Sequence, residues 1–132
     1  MKRLLILLML VSQPAWAEWV PLPPMPGSST KYFWDPASLR KTGDGRRAWV
    51  MWTMESLVPA GPYTRAWQSG RDMIEFDCDG ERERLLSRER FSGVMAKGVS
   101  VERIQPNQLW SYPSPGTFHD VRLKAVCKVP LK

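Results

Sequence analysis

The chain has 132 residues, 19 of them Lys or Arg and 13 Asp or Glu, for a formal charge of +6 at pH 7. That length fits one ordinary domain and excludes a second with its own core. With one histidine, His-rich zinc sites are excluded, and the sequence contains no Gly-rich phosphate loop, Walker lysine, HExxH or G-x-S-x-G motif.

Met1-Lys2-Arg3 is basic, Leu4–Val11 is an unbroken apolar run, and Pro14 precedes Ala15-Trp16-Ala17. These are the three parts of a secretory signal peptide, predicted to span 1–17 with cleavage after Ala17. A helix of that apolar run rises only about 12 Å against a hydrocarbon core of about 30 Å, so it is too short for a membrane anchor. Glu18 stands where a lipid-anchored product carries cysteine, so neither a lipid anchor nor a transmembrane segment is expected.

The mature chain, 18–132, is one domain; loss of Lys2 and Arg3 lowers its charge from +6 to +4. Its expected address is periplasmic or secreted. In the cytoplasm this basic, tryptophan-rich composition would suit nucleic acid; export excludes nucleic acid and leaves anionic glycans, lipid headgroups and acidic proteins. An oxidising compartment and an even cysteine count predict one bridge, Cys78 to Cys127. No C-x-x-C spacing suggests redox work, and no cofactor is expected.

In chain order, Glu18–Leu22 reads as a short strand that Pro21 confines to an edge. Lys31–Trp34 leads into a turn at Asp35-Pro36-Ala37-Ser38, where aspartate bonds the backbone two residues on. A second turn is predicted at Thr42-Gly43-Asp44-Gly45. Ala48–Met54 is uncharged and β-favouring, which predicts a central strand. Thr64–Cys78 predicts two strands, or one bent at Gly70.

Glu81–Phe91 suits a helix by propensity and a charged edge strand by length. A strand is predicted at Gly98–Ile104 and a loop at Pro106–Pro113. For the last segment, Ser114-Pro115 resembles a helix start, whereas Val121, Leu123, Ala125, Cys127 and Val129 alternate with polar residues, which favours a strand.

Five short motifs occur in order along the mature chain. They are Ala17-Glu18-Trp19-Val20, Asp35-Pro36 with Ser38-Leu39-Arg40, Glu75-Phe76-Asp77-Cys78, Arg84-Leu85-Leu86-Ser87 and Val126-Cys127-Lys128. As an ordered set they resemble the surface-adhesin protein E family. The resemblance implies an α+β fold: a curved antiparallel β-sheet with a C-terminal helix on its concave face, tethered by one disulfide. It implies that 81–91 is a strand, that about 115–128 is a helix, and that Cys78 lies on the sheet and Cys127 on the helix. It further implies a non-enzymatic module binding host extracellular-matrix glycoproteins, with lipid-anchored and homodimeric relatives. The missing lipidation cysteine departs from that pattern.

Among candidate sites, Arg82, Arg84, Arg88 and Arg90 have even spacing, so an unbroken strand puts all four on one face. Such a row would present forked donors to sulfate, phosphate or carboxylate, unless neighbouring acids screen it. Trp110 is expected at an exposed interface, and Trp49, Trp52 and Trp67 in the core. Asp72, Glu75, Asp77 and Asp79 read as a solvated hairpin end lacking the bidentate glutamate of a calcium loop, so no metal site is expected.

His119 leaves two rival functions open: a periplasmic small-ligand binder taking haem through this residue, or a small hydrolase. Against the hydrolase, the chain neighbour Asp120 is poorly placed to serve His119 in a triad. N-terminal sequencing of the exported product is expected to read Glu-Trp-Val, and an intact Met1 would refute the leader.

Overall fold

The computed structural model describes residues 18–43 and 45–131; the predicted leader, Asp44 of the predicted second turn, and Lys132 lie outside the described residues. Seven strands form one antiparallel sheet. They are β1 (Val20–Pro21), β2 (Lys31–Trp34), β3 (Arg40–Lys41), β4 (Arg46–Val58), β5 (Trp67–Asp77), β6 (Arg82–Phe91) and β7 (Ser100–Ile104). The order is β1-β2-β4-β5-β6-β7, with β3 also pairing β4. β2 faces Val50–Thr53 of β4 and β3 faces Arg46 and Arg47, so the two follow one another along the same side of β4.

A 3-10 turn at Pro36–Ser38 separates β2 from β3. The Ala37 N–H donates to the Asp35 carboxylate at 3.0 Å, the bond expected from the sequence. Across the break the Trp49 N–H donates to Ser38 Oγ at 2.9 Å, and the Asp35 N–H to the Trp49 carbonyl at 3.0 Å. The edge therefore stays pinned to β4 although its ladder is interrupted.

The helix α1 (Phe118–Lys128) packs on one face of the sheet. Ala48, Val50, Ile74 and Phe76 from the sheet and Leu123 and Val126 from α1 form the core with Leu22 and Trp34. Burying each large side chain contributes about 1.5–3 kcal/mol. The other face is left open by the helix; segment 92–98 lies against it, where the Met95 and Ala96 N–H groups donate to Thr53 Oγ1 and Ser69 Oγ. Of the tryptophans expected in the core, Trp49, Trp52 and Trp67 are only half-buried, and Trp34 takes that place at 5 % exposure.

The alternation over Val121–Val129 does not produce a strand. His119, Arg122, Leu123 and Val126 share one side of a helix by spacing, but Arg122 reads as polar although it is buried, so the helical period is hidden. The cap is Thr117 rather than Ser114. Ser114 instead accepts from the Thr117 N–H and hydroxyl, building the turn that delivers the cap. At the far end Arg46 donates to the Val126 and Val129 carbonyls, satisfying acceptors that a helix leaves open.

Cys78, the residue directly after β5, is bonded to Cys127 of α1 with Cα atoms 5.8 Å apart. The bridge spans 49 residues, for which chain entropy gives about 4 kcal/mol. β6 is a strand, as the resemblance implies, but an inner one between β5 and β7 rather than an edge.

β5 is one strand, and its register with β4 and β6 runs unbroken through Gly70. That glycine lies opposite Trp52, and a Cβ built on it would fall 2.2 Å from the indole. The missing side chain makes room for that ring. Gly70→Ala is expected to lower stability by about 1–3 kcal/mol in urea unfolding. The control Gly43→Ala, whose Cβ meets nothing within 4 Å, should change little.

Candidate functional site

The four β6 arginines do not share a face. β5 pairs Ile74 with Leu85 but Met73 with Ser87, which leaves Leu86 as an extra residue, a β-bulge. One inserted residue reverses the alternation of everything beyond it. Arg82 and Arg84 therefore lie on the open face with Asp77 and Glu75, whereas Arg88 and Arg90 lie on the helix face with Asp72 and Gly70.

Each arginine has its own carboxylate. Arg82 reaches Asp77 at 2.8 Å, Arg84 reaches Glu75 at 2.6 Å, and Arg90 reaches Glu102 at 2.7 Å. Arg88 grips Asp72 through two bonds of 2.8 Å. Three of the four acids expected at a solvated hairpin end are thus partners, with Asp72, Glu75 and Asp77 all buried, and Asp79 alone is exposed there. The Asp72 contact pushes the Arg88 pKa up, and the Gly80 N–H and Arg82 hold Asp77 below its ordinary value. A row of free guanidiniums does not exist.

On the helix face the central group is Glu83, at 2 % exposure. Arg122 of α1 clasps it with Nε and Nη2, and His119 Nδ1 lies 2.8 Å from Oε1. The same Nδ1 lies 2.8 Å from Arg122 Nη2, so the imidazole rests against both members of the Arg122–Glu83 pair. Burial works to raise the Glu83 pKa, but the hydrogen bonds and charges of His119 and Arg122 outweigh it and hold the group below the usual carboxylate range.

Beside this cluster is a cleft of about 280 Å³, walled by Tyr32, Trp52, Trp67 and Phe118 and floored by Asp72 and Arg88. Tyr32 stacks on Phe118, and the Arg90 guanidinium lies 4.7 Å from the Trp67 ring centre. His119, Arg88 and Arg90 therefore meet at one place, which linear spacing does not reveal. Asp120 is committed elsewhere, to Lys124 at 2.8 Å and the Gly116 N–H at 3.0 Å. Among the described residues no hydroxyl or thiol is hydrogen-bonded to His119 Nε2, and no cluster of three metal-ligating side chains occurs.

On the open face Trp110 is half-buried rather than exposed. Ser111 exchanges two backbone bonds with Glu83, and this bridge lays the Trp110 ring over both Arg82 and Arg84, 4.4 Å from each guanidinium carbon. Farther along, Arg71 lies between Trp49 and Phe91 and bonds Glu89 at 2.9 Å. Arg71, Glu83 and Arg122 were not singled out in the sequence; the helical spacing of His119, Arg122, Leu123 and Val126 is the signal that marks Arg122.

An open antiparallel sheet with one disulfide-tethered helix and two faces of paired arginines and aromatics defines an α+β binding scaffold. Residues 19–128 match the family model of surface-adhesin protein E, and the chain belongs to that family. Haemophilus influenzae protein E superposes with a TM-score of 0.61 at 13% identity, covering 83% of each chain. Its second crystal form gives 0.58 at 13%, covering 74% of this chain and 80% of that one. Protein E from non-typeable Haemophilus influenzae gives 0.53 at 11%, covering 82% and 72%. No curated protein matches by sequence. Among the described residues no helix is long and apolar enough to cross a membrane.

The depressed carboxylates Glu83, Asp77, Glu89 and Asp120 set the acid response. A carboxylate with a lowered folded-state pKa stabilises the fold above its unfolded value, near ~4, and that contribution is lost as pH falls through the lower folded value. Urea midpoints should therefore be flat from about pH 7 to 5 and fall below about pH 4. Glu83→Gln, which leaves Arg122 buried without its charge partner, should cost about 3–5 kcal/mol at pH 7 and flatten the acid limb.

Proposed function

We propose that the chain is exported, with its leader removed after Ala17, and works in the periplasm or beyond the cell as a non-catalytic adhesion module. Its partners are host extracellular-matrix glycoproteins, bound through the open face. Family membership supports the adhesive role. The observation that carries the choice of face is Trp110 stacked on Arg82 and Arg84 beside buried carboxylates. Tryptophan and arginine held in place by neighbours are the residues that dominate protein–protein binding energy. Because Asp77 and Glu75 balance the two arginines, this patch suits a protein surface of mixed charge better than a polyanion. A homodimer, as in the resemblance, belongs to the same proposal, and gel filtration of residues 18–132 checks it.

A second reading rests on the helix-face cleft: its aromatic walls and the presence of His119 in its lining favour a flat ligand such as haem. The cleft, at about 280 Å³, is slightly below the ~300–1,000 Å³ of most ligand pockets. A haem titration that gives a Soret shift in the parent and none in His119→Ala supports this reading; no shift in either removes it.

For the adhesive reading, Trp110→Ala removes the ring without unpairing a carboxylate. Binding to immobilised matrix glycoproteins is expected to weaken by about 2 kcal/mol, with urea unfolding nearly unchanged. A parent that binds no matrix glycoprotein, or a variant that binds as the parent does, would refute it.

A further inference from the structure

With the β6 arginines neutralised, the excess positive charge lies elsewhere. On the two-residue strand β3, Arg40 stands directly opposite Arg47 and Lys41 directly opposite Arg46. Like charges in directly opposed positions destabilise a strand pair. Among the described residues none of the four lies within 4 Å of a carboxylate, unlike every arginine of β6. Arg40 donates only to the Ala37 and Leu39 carbonyls, and Arg46 only to carbonyls at the end of α1. These bonds orient the guanidiniums without cancelling their charge. Glu75, the next residue across the sheet from Arg47, is already engaged by Arg84 at 2.6 Å.

Beside this hairpin runs a groove of about 380 Å³ between β3 and the chain that follows α1. Arg40 and Lys41 line it on one side, Val129 and Leu131 on the other, with Pro36 and Leu39 at one end. A second depression of about 190 Å³ adjoins it, sharing Lys41 and Leu131 and adding Arg46. The two adjoin at Lys41 and Leu131, with Arg40, Lys41 and Arg46 facing compact aliphatic groups and one carboxylate, Asp79, in the lining of the second depression.

We propose that this groove is a binding site for a linear sulfated polysaccharide. The sulfates take the donors of Arg40 and Lys41, with Arg46 in the adjoining depression, and the C–H faces of the sugar rings lie on Val129 and Leu131. The guanidinium forks match tetrahedral oxyanions, and a polymer supplies several at once, which opposed cations at strand spacing require. A membrane surface is disfavoured because the aliphatic groups lie inside the groove rather than projecting from it. The site takes the exported setting from the adhesion reading but neither its residues nor its partner.

The test measures heparin binding to residues 18–132 by calorimetry at several salt concentrations, beside vesicles of phosphatidylglycerol and an immobilised matrix glycoprotein. The double variant Arg40→Gln, Lys41→Gln is expected to bind heparin at least about tenfold more weakly with a shallower salt dependence. Its melting temperature should equal or exceed the parent's, because the opposed charges are gone. The single variant Lys41→Glu answers the same question should the double variant not fold. Trp110→Ala should bind heparin as the parent does while losing the glycoprotein. Heparin affinity unchanged in the charge variants, or vesicles bound in preference to heparin, would overturn the site. Glycoprotein binding without heparin binding would overturn it and leave the adhesion reading standing; the converse would leave the site and remove that reading.

Discussion

Glu83 ties the helix to the sheet by charge as well as by packing. It projects from β6 onto the helix face beside Phe76 and, almost without solvent, accepts from Arg122 and His119 of α1. A buried carboxylate costs several kcal/mol to desolvate, so the contact persists only because the partners are placed to satisfy it. The same residue's backbone exchanges two hydrogen bonds with Ser111, which fixes Trp110 on the opposite face. One position thus couples the helix docking to the arrangement of the open face. The disulfide, which joins α1 to the residue after β5, limits how far the helix can depart if the charge cluster is lost.

Arginine–carboxylate pairs are the common material of both faces, and the bulge at Leu86 distributes them. Without it, four guanidiniums would line one surface and four acids would have to be found there. With it, two pairs stabilise the face that carries Trp110 and two stand beside the aromatic cleft. Charge that is paired and half-buried shapes a surface without attracting distant polyanions. Charge that is opposed by like charge, as on β3, does the reverse: it weakens the hairpin locally and leaves a field for an external anion to satisfy. That contrast separates β6, where each arginine is paired with a carboxylate, from β3, where cation faces cation.

Much of the chain could be read in advance because local chemistry and tertiary structure agree there. The Asp35 turn forms the bond its side chain predicts, Pro21 lies on the edge strand, and the uncharged run at Ala48–Met54 is a central strand. The reading fails where a tertiary partner changes what a residue means. Arg122 breaks the apolar period of α1 because its charge is answered by Glu83 from a strand 39 positions away. The bulge depends on how β5 and β6 pair, and nothing in Leu85-Leu86-Ser87 marks which residue is left over. Trp52 looks like core by composition, yet Gly70 opposite leaves it over a cleft. The joint position of His119, Arg88 and Arg90 likewise requires the folded helix.

The central claim is that the β6 arginines are occupied by internal acids and those of the β3–β4 hairpin are not. Side-chain NMR of the arginine Nε–H groups during titration with a heparin oligosaccharide tests it directly, residue by residue. The account predicts progressive shifts at Arg40 and Arg46, with Arg88 and Arg122 unmoved and protected from solvent exchange. Shifts at Arg82, Arg84, Arg88 and Arg90 with Arg40 and Arg46 silent would contradict it.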